Sequence, residues 1–223
     1  MPIFPNIQAV TFDVGGTLIQ PWPSVGHIYA EVAATHGHQG IQPEVLNRHF
    51  SAAWQTKKHF NHSRPAWLDL VKRTFAGSLD EASTHRLFDD LYDRFAGPDV
   101  WRIFDDVHPT LEKLRNRHFK LGIISNWDER LRPLLARLQL TSYFDVIVIS
   151  IEAGSPKPSQ EIFDHAASSL GVPPASILHV GDSLAEDVTG AQCSGLQAML
   201  LDRKGTIGAG PSVPNLTKLN DML

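Results

Sequence analysis

The sequence predicts an α/β fold in which a Rossmann-like parallel sheet is interrupted by a helical insertion. From about residue 105 onward, short apolar runs rich in β-branched residues alternate with segments of helical periodicity, which is typical of parallel sheets. No strand-like run lies between about Pro21 and Arg102, where apolar residues recur at helical spacing. We therefore expect a core of residues 1–20 and 104–223, and an inserted unit of four helices at residues 21–103.

The individual elements follow from this pattern. Buried strands are expected at residues 7–12, 121–124, 146–149, 177–180 and 197–201. Core helices are expected at residues 110–115, 129–138, 159–170 and 184–194. In the insertion, Pro43 and Pro65 lie at positions that start helices, while Gly37, Gly77 and Gly97 lie where helices end.

Composition narrows the class of protein. The chain has 223 residues, 42% of them hydrophobic, and a net charge of −4 with mixed signs, which does not indicate a nucleic-acid partner. The single cysteine, Cys193, excludes an intrachain disulfide and fits a reducing cytoplasm. We expect a cytoplasmic globular protein without a signal peptide or a membrane partner. Nothing in the sequence indicates its oligomeric state.

Polar residues collect where the predicted strands end. Asp13 and Ser125 each follow a strand, Lys157 lies between two prolines, and Asp182 and Asp187 follow another strand. Parallel sheets carry their sites at the carboxyl ends of the strands, so these side chains are expected to converge. Converging carboxylates suit Mg²⁺, and a lysine with a hydroxyl suits a phosphate. A carboxylate oxygen can also attack a phosphate as a nucleophile.

Each of these residues also has a structural explanation. Asp13 alone would form a turn, Ser125 alone would cap a helix, and Lys157 alone would be solvated. Asp187 alone would favour the first turn of a helix. Only their joint order and spacing favour a catalytic site.

Four segments carry a family resemblance: VTFDVGGTLI, IISNWDERL, GSPKPSQEIF and ILHVGDSLAEDVTGA. Together they resemble the four motifs of the haloacid dehalogenase (HAD) superfamily, and the helical insertion resembles the C1 cap that follows its first motif. The match covers nearly the whole chain. SNWDERL, EAGSPKP and HVGDSLAED are similar to the subgroup that includes the rhythmically-expressed-gene-2 and haloacid dehalogenase-like hydrolase domain-containing 3 proteins.

The resemblance implies a hydrolase that uses Mg²⁺ and acts on a small phosphorylated metabolite. It implies that Asp13 is the nucleophile and that Lys157 restrains both Asp13 and the transferring phosphoryl group. The implied metal ligands are Asp13, the backbone carbonyl of Gly15, Asp182 and Asp187. The implied phosphate-binding residues are Ser125, Asn126, Gly16 and Lys157.

The sequence departs from the family pattern at Gly15. Family phosphatases generally carry a second Asp two residues after the nucleophile, which protonates the leaving group and then activates water. A positioned acid or base is worth about 10²–10⁴ in rate, so its absence predicts slow turnover limited by dephosphorylation. Substrates with good leaving groups would suffer least in the first step.

Several alternatives remain open. A replacement acid could come from the histidines of the insertion, of which His27 is the best placed; they are His27, His36, His38, His49, His59, His62 and His85. Dehalogenase chemistry needs no acid, but Asp182, Asp187 and Gly15 do not match that pattern. Phosphonate hydrolysis would need a buried Schiff-base lysine, for which the insertion offers Lys57, Lys58 and Lys72.

Two further alternatives concern the site itself. The chain could bind a phosphorylated ligand without turning it over, as the loss of the acid at Gly15 suggests. Trp127, two residues after Ser125, either packs inside the protein or forms a wall of the substrate pocket.

Overall fold

The computed structural model describes residues 4, 6–57, 60–205 and 212–223. The chain divides into two compact units. One unit comprises Met1–Ile19 and Ile103–Leu223, and the other comprises Gln20–Arg102. We call them the sheet unit and the helical unit.

The strands, in chain order, are β1 (Ala9–Phe12), β2 (Ile19–Pro21), β3 (Trp101–Ile103), β4 (Lys120–Ser125), β5 (Val146–Ile149), β6 (Ile177–Gly181), β7 (Gln197–Leu201) and β8 (Ser212–Val213). Six of them form one sheet in the order β5-β4-β1-β6-β7-β8, and β2 pairs with β3 separately. Every pairing in the larger sheet is parallel. The predicted Rossmann-like α/β fold is confirmed.

The helices, in chain order, are α1 (Val25–Thr35), α2 (Pro43–Gln55), α3 (Arg64–Phe75), α4 (Glu81–Arg94), α5 (Val107–Asn116), α6 (Leu131–Arg137), α7 (Ser150–Ala153), α8 (Gln160–Leu170), α9 (Gly190–Cys193) and α10 (Leu219–Met222). A π-helical turn, Leu184–Thr189, precedes α9. No helix among the described residues has the length and apolar character needed to cross a membrane.

The central strands of the sheet are apolar because they are buried on both faces. All four residues of β1 and all five of β6 are buried, as expected for strands covered on both faces. Helix α8 presents Ile162, Phe163 and Ala166 to the same apolar core. The carboxyl ends of β1, β4 and β6 therefore form one rigid edge on which polar side chains can be placed accurately.

The helical unit contains the four expected helices, α1–α4. The side chains of Ser24, Ser63 and Asp80 accept hydrogen bonds from backbone amides at the starts of α1, α3 and α4. The unit has its own apolar core, in which the ring of Tyr29 stacks on Phe75 with centroids 5.4 Å apart.

Short elements differ from the sequence prediction. The three-residue strand β3 begins at Trp101, inside the stretch expected to lack strands. Sequence patterning did not reveal it, because three residues are too few to show an alternating pattern. The helix expected at residues 184–194 is a π-helical turn followed by α9. Hydrophobic periodicity does not distinguish these two helical forms over a few residues.

Candidate active site

The first turn after β1 holds Asp13 at the edge of the sheet. The Asp13 amide donates to Val180 O at 2.9 Å, which continues the pairing of β1 with β6. Immediately afterwards, the carbonyl of Val14 accepts from the amides of Leu18 at 2.8 Å and Ile19 at 3.0 Å. This tight turn leaves Asp13 only 8% exposed.

Lys157 connects two of the buried acids. Its ammonium lies 2.8 Å from Asp13 Oδ1 and 2.5 Å from Asp187 Oδ1, and the residue is 3% exposed. Ser125, at the end of β4, donates from Oγ to the same Asp13 Oδ1 at 3.2 Å. Lys157 and Ser125, far apart in sequence, thus converge on Asp13, so the structure brings together the predicted nucleophile, hydroxyl and lysine.

Asn126 fixes the backbone of Lys157. Its Oδ1 accepts from the Lys157 amide at 2.7 Å, and its Nδ2 donates to the Lys157 carbonyl at 2.9 Å. The same Nδ2 donates to Glu186 Oε2 at 3.2 Å. The Asn126 side chain is therefore occupied in positioning Lys157, so phosphate binding by this residue, which stays a prediction, would fall to its backbone amide.

Burial and charge set the protonation of this cluster. Desolvation raises the pKa of Asp13, and the attraction of Lys157 only partly offsets it. Desolvation also raises the pKa of Asp187, but Lys157 and His179 outweigh it and leave that pKa below its usual range. Burial lowers the pKa of Lys157, yet the Asp13 and Asp187 carboxylates outweigh burial, so the ammonium stays charged.

Asp182 completes a group of acids that could hold a divalent cation. One oxygen from each of Asp13, Asp182 and Asp187 lies within 4.8 Å of the others. Desolvation and repulsion by Asp13 and Asp187 raise the pKa of Asp182 to about 7, although this residue is exposed to solvent on one side. Three carboxylates against one ammonium leave a charge of −2 when all are ionised. The hard oxygen donors and this charge fit Mg²⁺.

Two glycines make room for these carboxylates. A Cβ at Gly16 would overlap the Asp182 carboxylate, and a Cβ at Gly181 would overlap that of Asp187. Gly16 also has φ of +81°, which favours glycine. Its amide donates to Ile19 O at 2.8 Å, so phosphate binding by Gly16, which stays a prediction, would require that hydrogen bond to be shared or broken.

Trp127 lies beside Gly15. A Cβ built on Gly15 would be 3.2 Å from Cζ3 of the indole, which is closer than most side chains approach. The Trp127 backbone is held in place by Ser150, because its amide donates to Ser150 Oγ and its carbonyl accepts from the same hydroxyl, each at 3.1 Å. The space that a side chain at position 15 would enter is therefore bordered by the Trp127 ring. Metal binding by the Gly15 carbonyl stays a prediction.

The alternative residues of the insertion belong to the helical unit. His27 Nδ1 lies 2.8 Å from Ser24 Oγ, at the start of α1. Lys57 places its ammonium 3.4 Å from the centre of the Trp54 ring, and Lys72 pairs with Glu81 at 2.5 Å. Neither lysine is fully buried, which does not favour a Schiff-base role. Lys58 and His59 lie outside the described residues.

Sequence reasoning missed three residues around the site: Thr11, His179 and Glu186. Thr11 and His179 are polar residues inside apolar strands, both 0% exposed. That pattern was visible in AVTF and ILHVG, because a polar side chain in a fully buried strand requires a partner. Nothing in the sequence distinguishes Glu186 from its acidic neighbours.

Residues 7–195 match the haloacid dehalogenase-like hydrolase family, and the chain belongs to that family. It is 34% identical over 207 residues to haloacid dehalogenase-like hydrolase domain-containing protein 3 of Homo sapiens, covering 88% of this chain and 82% of the relative. This match confirms the predicted subgroup.

Two similar proteins are phosphatases by name. The chain is 28% identical to glyceraldehyde 3-phosphate phosphatase of Methanopyrus kandleri over 205 residues, covering 88% of this chain and 84% of that protein. The crystal structure of a HAD phosphatase from Thermococcus onnurineus aligns with a TM-score of 0.71 at 27% identity, covering 97% of each chain. The chain is therefore a HAD-like hydrolase with phosphatase relatives.

Proposed function

We propose that the chain is a Mg²⁺-dependent phosphatase that hydrolyses a small phosphorylated metabolite through an aspartyl-phosphate on Asp13. The observation that carries the proposal is the buried contact of Lys157 with both Asp13 and Asp187, beside Ser125 and Asp182. Two phosphatase relatives support the same reading. In this proposal the helical unit is a cap of the family's C1 type.

The side chains of the sheet unit have distinct roles in this proposal. Asp13 attacks phosphorus, and the bond from phosphorus to the leaving oxygen breaks. Lys157 and Ser125 fix the Asp13 carboxylate for this attack, and the ammonium balances phosphoryl charge. Water then attacks the aspartyl-phosphate, which releases phosphate and restores Asp13. Asp13, Asp182 and Asp187 would hold Mg²⁺, which supplies electrostatic stabilisation of phosphoryl oxygens.

The absence of a side chain at Gly15 affects the two steps of the reaction differently. Attack by Asp13 needs little proton transfer when the leaving group is an acyl phosphate or a nitrophenolate. Water attack still lacks a base at position 15, so dephosphorylation is expected to limit turnover. The preferred substrates are therefore expected to have good leaving groups.

A steady-state assay tests the proposal. Release of nitrophenol from para-nitrophenyl phosphate and of phosphate from acetyl phosphate is measured with Mg²⁺ and with EDTA. We expect slow release that requires Mg²⁺ and that falls in Asp182→Asn. Asp164→Asn, the same change at an exposed position on α8, is the matched control and should keep wild-type rates. Equal rates in Mg²⁺ and EDTA would refute metal dependence.

The contact between Trp127 and Gly15 predicts a non-additive pair of substitutions. Gly15→Asp alone is expected to raise the hydrolysis rate only slightly. The new Cβ would lie 3.2 Å from the indole, so the new carboxyl would be displaced. In the double variant Gly15→Asp with Trp127→Leu, the ring no longer opposes the new side chain. Hydrolysis of a substrate with a poor leaving group should then rise by roughly tenfold or more.

Trp127→Leu alone is the control for this cycle, since it removes the ring without adding an acid. Steady-state rates on phenyl phosphate for all four proteins give the coupling between the two positions. If Gly15→Asp alone raised the hydrolysis rate as much as the double variant, Trp127 would not obstruct position 15.

A binding protein without turnover is the second candidate function. The glycine at position 15 favours it, because binding of phosphate and a cation needs no acid there. In that case wild type would bind inorganic phosphate in the presence of Mg²⁺ yet release no nitrophenol.

A further inference from the structure

Two buried polar side chains lie behind the acidic cluster and have no role in the reaction described above. Thr11 on β1 and His179 on β6 are both 0% exposed. The parallel register of the two strands pairs them directly, so their side chains lie next to each other on one face of the sheet. Thr11 Oγ1 is 2.9 Å from His179 Nδ1. On the other side of the ring, His179 Nε2 is 3.1 Å from Asp187 Oδ1.

The chemistry of the partners sets the direction of both hydrogen bonds. An ionised carboxylate only accepts, so His179 Nε2 carries the proton and donates it to Asp187. His179 is fully buried, and the Asp187 carboxylate that it contacts is already paired with the Lys157 ammonium, so the ring is taken as neutral. Nδ1 of a neutral ring is then an acceptor, and the Thr11 hydroxyl donates to it. Phe163 packs edge-on against the imidazole, with ring centroids 5.5 Å apart, which further restricts its orientation.

This hydrogen-bonded pair fixes an acid that the site depends on. Asp187 lies on the π-helical turn, whereas His179 lies on a central strand of the sheet. Asp187 Oδ1 accepts from both His179 and Lys157, and its Oδ2 accepts from the Ser183 amide at 2.9 Å. His179 is the donor that ties this carboxylate to the rigid centre of the sheet. The position of Asp187 in turn determines where the Lys157 ammonium lies.

We propose that His179, oriented by Thr11, is a positioning residue that holds Asp187, and through it Lys157, in the geometry needed for phosphoryl transfer. The proposal rests on the function proposed above, because it concerns the same site. It adds two residues that act through Asp187 and Lys157. Their contribution should appear in kcat rather than in KM, since they act on the placement of reacting groups.

Kinetics of paired variants test the positioning role. Thr11→Val keeps the shape of the side chain and removes the hydroxyl, and we expect kcat to fall roughly tenfold with KM little changed. Thr110→Val is the matched control, because Thr110 is also 0% exposed and its hydroxyl has no hydrogen-bond partner among the described residues. The kcat of His179→Leu should fall at least as far as that of Thr11→Val. The kcat of His179→Gln should fall less than that of His179→Leu, because the glutamine amide can donate to Asp187.

A merely structural role would give a different result. It would lower the stability of the variants and leave kcat per folded molecule unchanged. A kcat within twofold of wild type for both Thr11→Val and His179→Leu would overturn the proposal.

A spectroscopic measurement distinguishes failure of this proposal from failure of the proposed function. The chain has 11 histidines, and in ¹⁵N-histidine-labelled protein the resonances missing from His179→Gln identify His179 by NMR. We expect the tautomer protonated at Nε2, and a shift of Nδ1 in Thr11→Val. The tautomer protonated at Nδ1, or ring resonances insensitive to Thr11→Val, would refute the proposed hydrogen bonds of His179 with Thr11 and Asp187. If the expected tautomer and shift occur in a protein without phosphatase activity, the positioning of Asp187 by His179 is supported and the proposed function fails.

Discussion

Asp13→Asn is expected to reduce the turnover of para-nitrophenyl phosphate and acetyl phosphate by roughly 10³-fold or more. A side-chain amide cannot form the aspartyl-phosphate, and among the described residues no other carboxylate accepts from both Ser125 and Lys157. Steady-state release of nitrophenol and phosphate in Mg²⁺ measures the loss. Asp164→Asn is again the control for a general effect of removing one negative charge.

The same variant distinguishes an enzyme from a binding protein. An enzyme loses turnover in this variant, whereas a binding protein shows no turnover in wild type and keeps or strengthens its binding of inorganic phosphate when the negative charge is removed. Calorimetric titration of wild type and Asp13→Asn measures it. Turnover by Asp13→Asn within tenfold of wild type would exclude Asp13 as the nucleophile.

Lys157→Met is expected to lower the free energy of unfolding by about 3–5 kcal/mol in EDTA, because it leaves two buried carboxylates without their shared counter-charge. The ammonium is almost fully buried and contacts Asp13 and Asp187 directly. Urea unfolding in EDTA and in Mg²⁺ measures the change. Mg²⁺ should restore part of the stability, since a cation bound by the folded state stabilises it.

Lys113→Met provides a matched control for this experiment. Lys113 is exposed on α5 in the same unit, and its replacement should change the free energy of unfolding by about 0.5 kcal/mol or less. A Lys157→Met protein as stable in EDTA as the Lys113→Met protein would show that the acids do not depend on this ammonium. Activity of Lys157→Met should also fall, because Asp13 loses the donor that orients it.

The assembly of the candidate site was predictable because parallel strands end at a common edge. That rule brought Asp13 and Ser125 together, and the family resemblance added Lys157; the structure places all three within hydrogen-bonding distance. The rule also grouped Asp182 and Asp187 with Asp13. Strand order and register were not needed for this prediction, since only the strand ends matter.

The parts that sequence reasoning missed depend on register and packing. Thr11 meets His179 only because β1 and β6 pair without offset at these positions, and no local pattern encodes that register. Trp127 borders Gly15 because Ser150, after β5, holds its backbone. The contacts of the Asn126 side chain with the Lys157 backbone were also not foreseen, whereas phosphate binding by Asn126 stays a prediction. Each of these contacts joins segments that lie far apart in the sequence.

The central claim is that Asp13 carries a phosphoryl group whose removal is slow because position 15 has no side chain. The most direct measurement is intact-protein mass spectrometry after acid quenching of wild type and Asp13→Asn mixed with acetyl phosphate and Mg²⁺. We predict that wild type accumulates the mass of one phosphoryl group, which peptide mapping places on Asp13, and that Asp13→Asn does not. Rapid phosphate release by wild type with no trapped phosphoryl group at any quench time would contradict the claim.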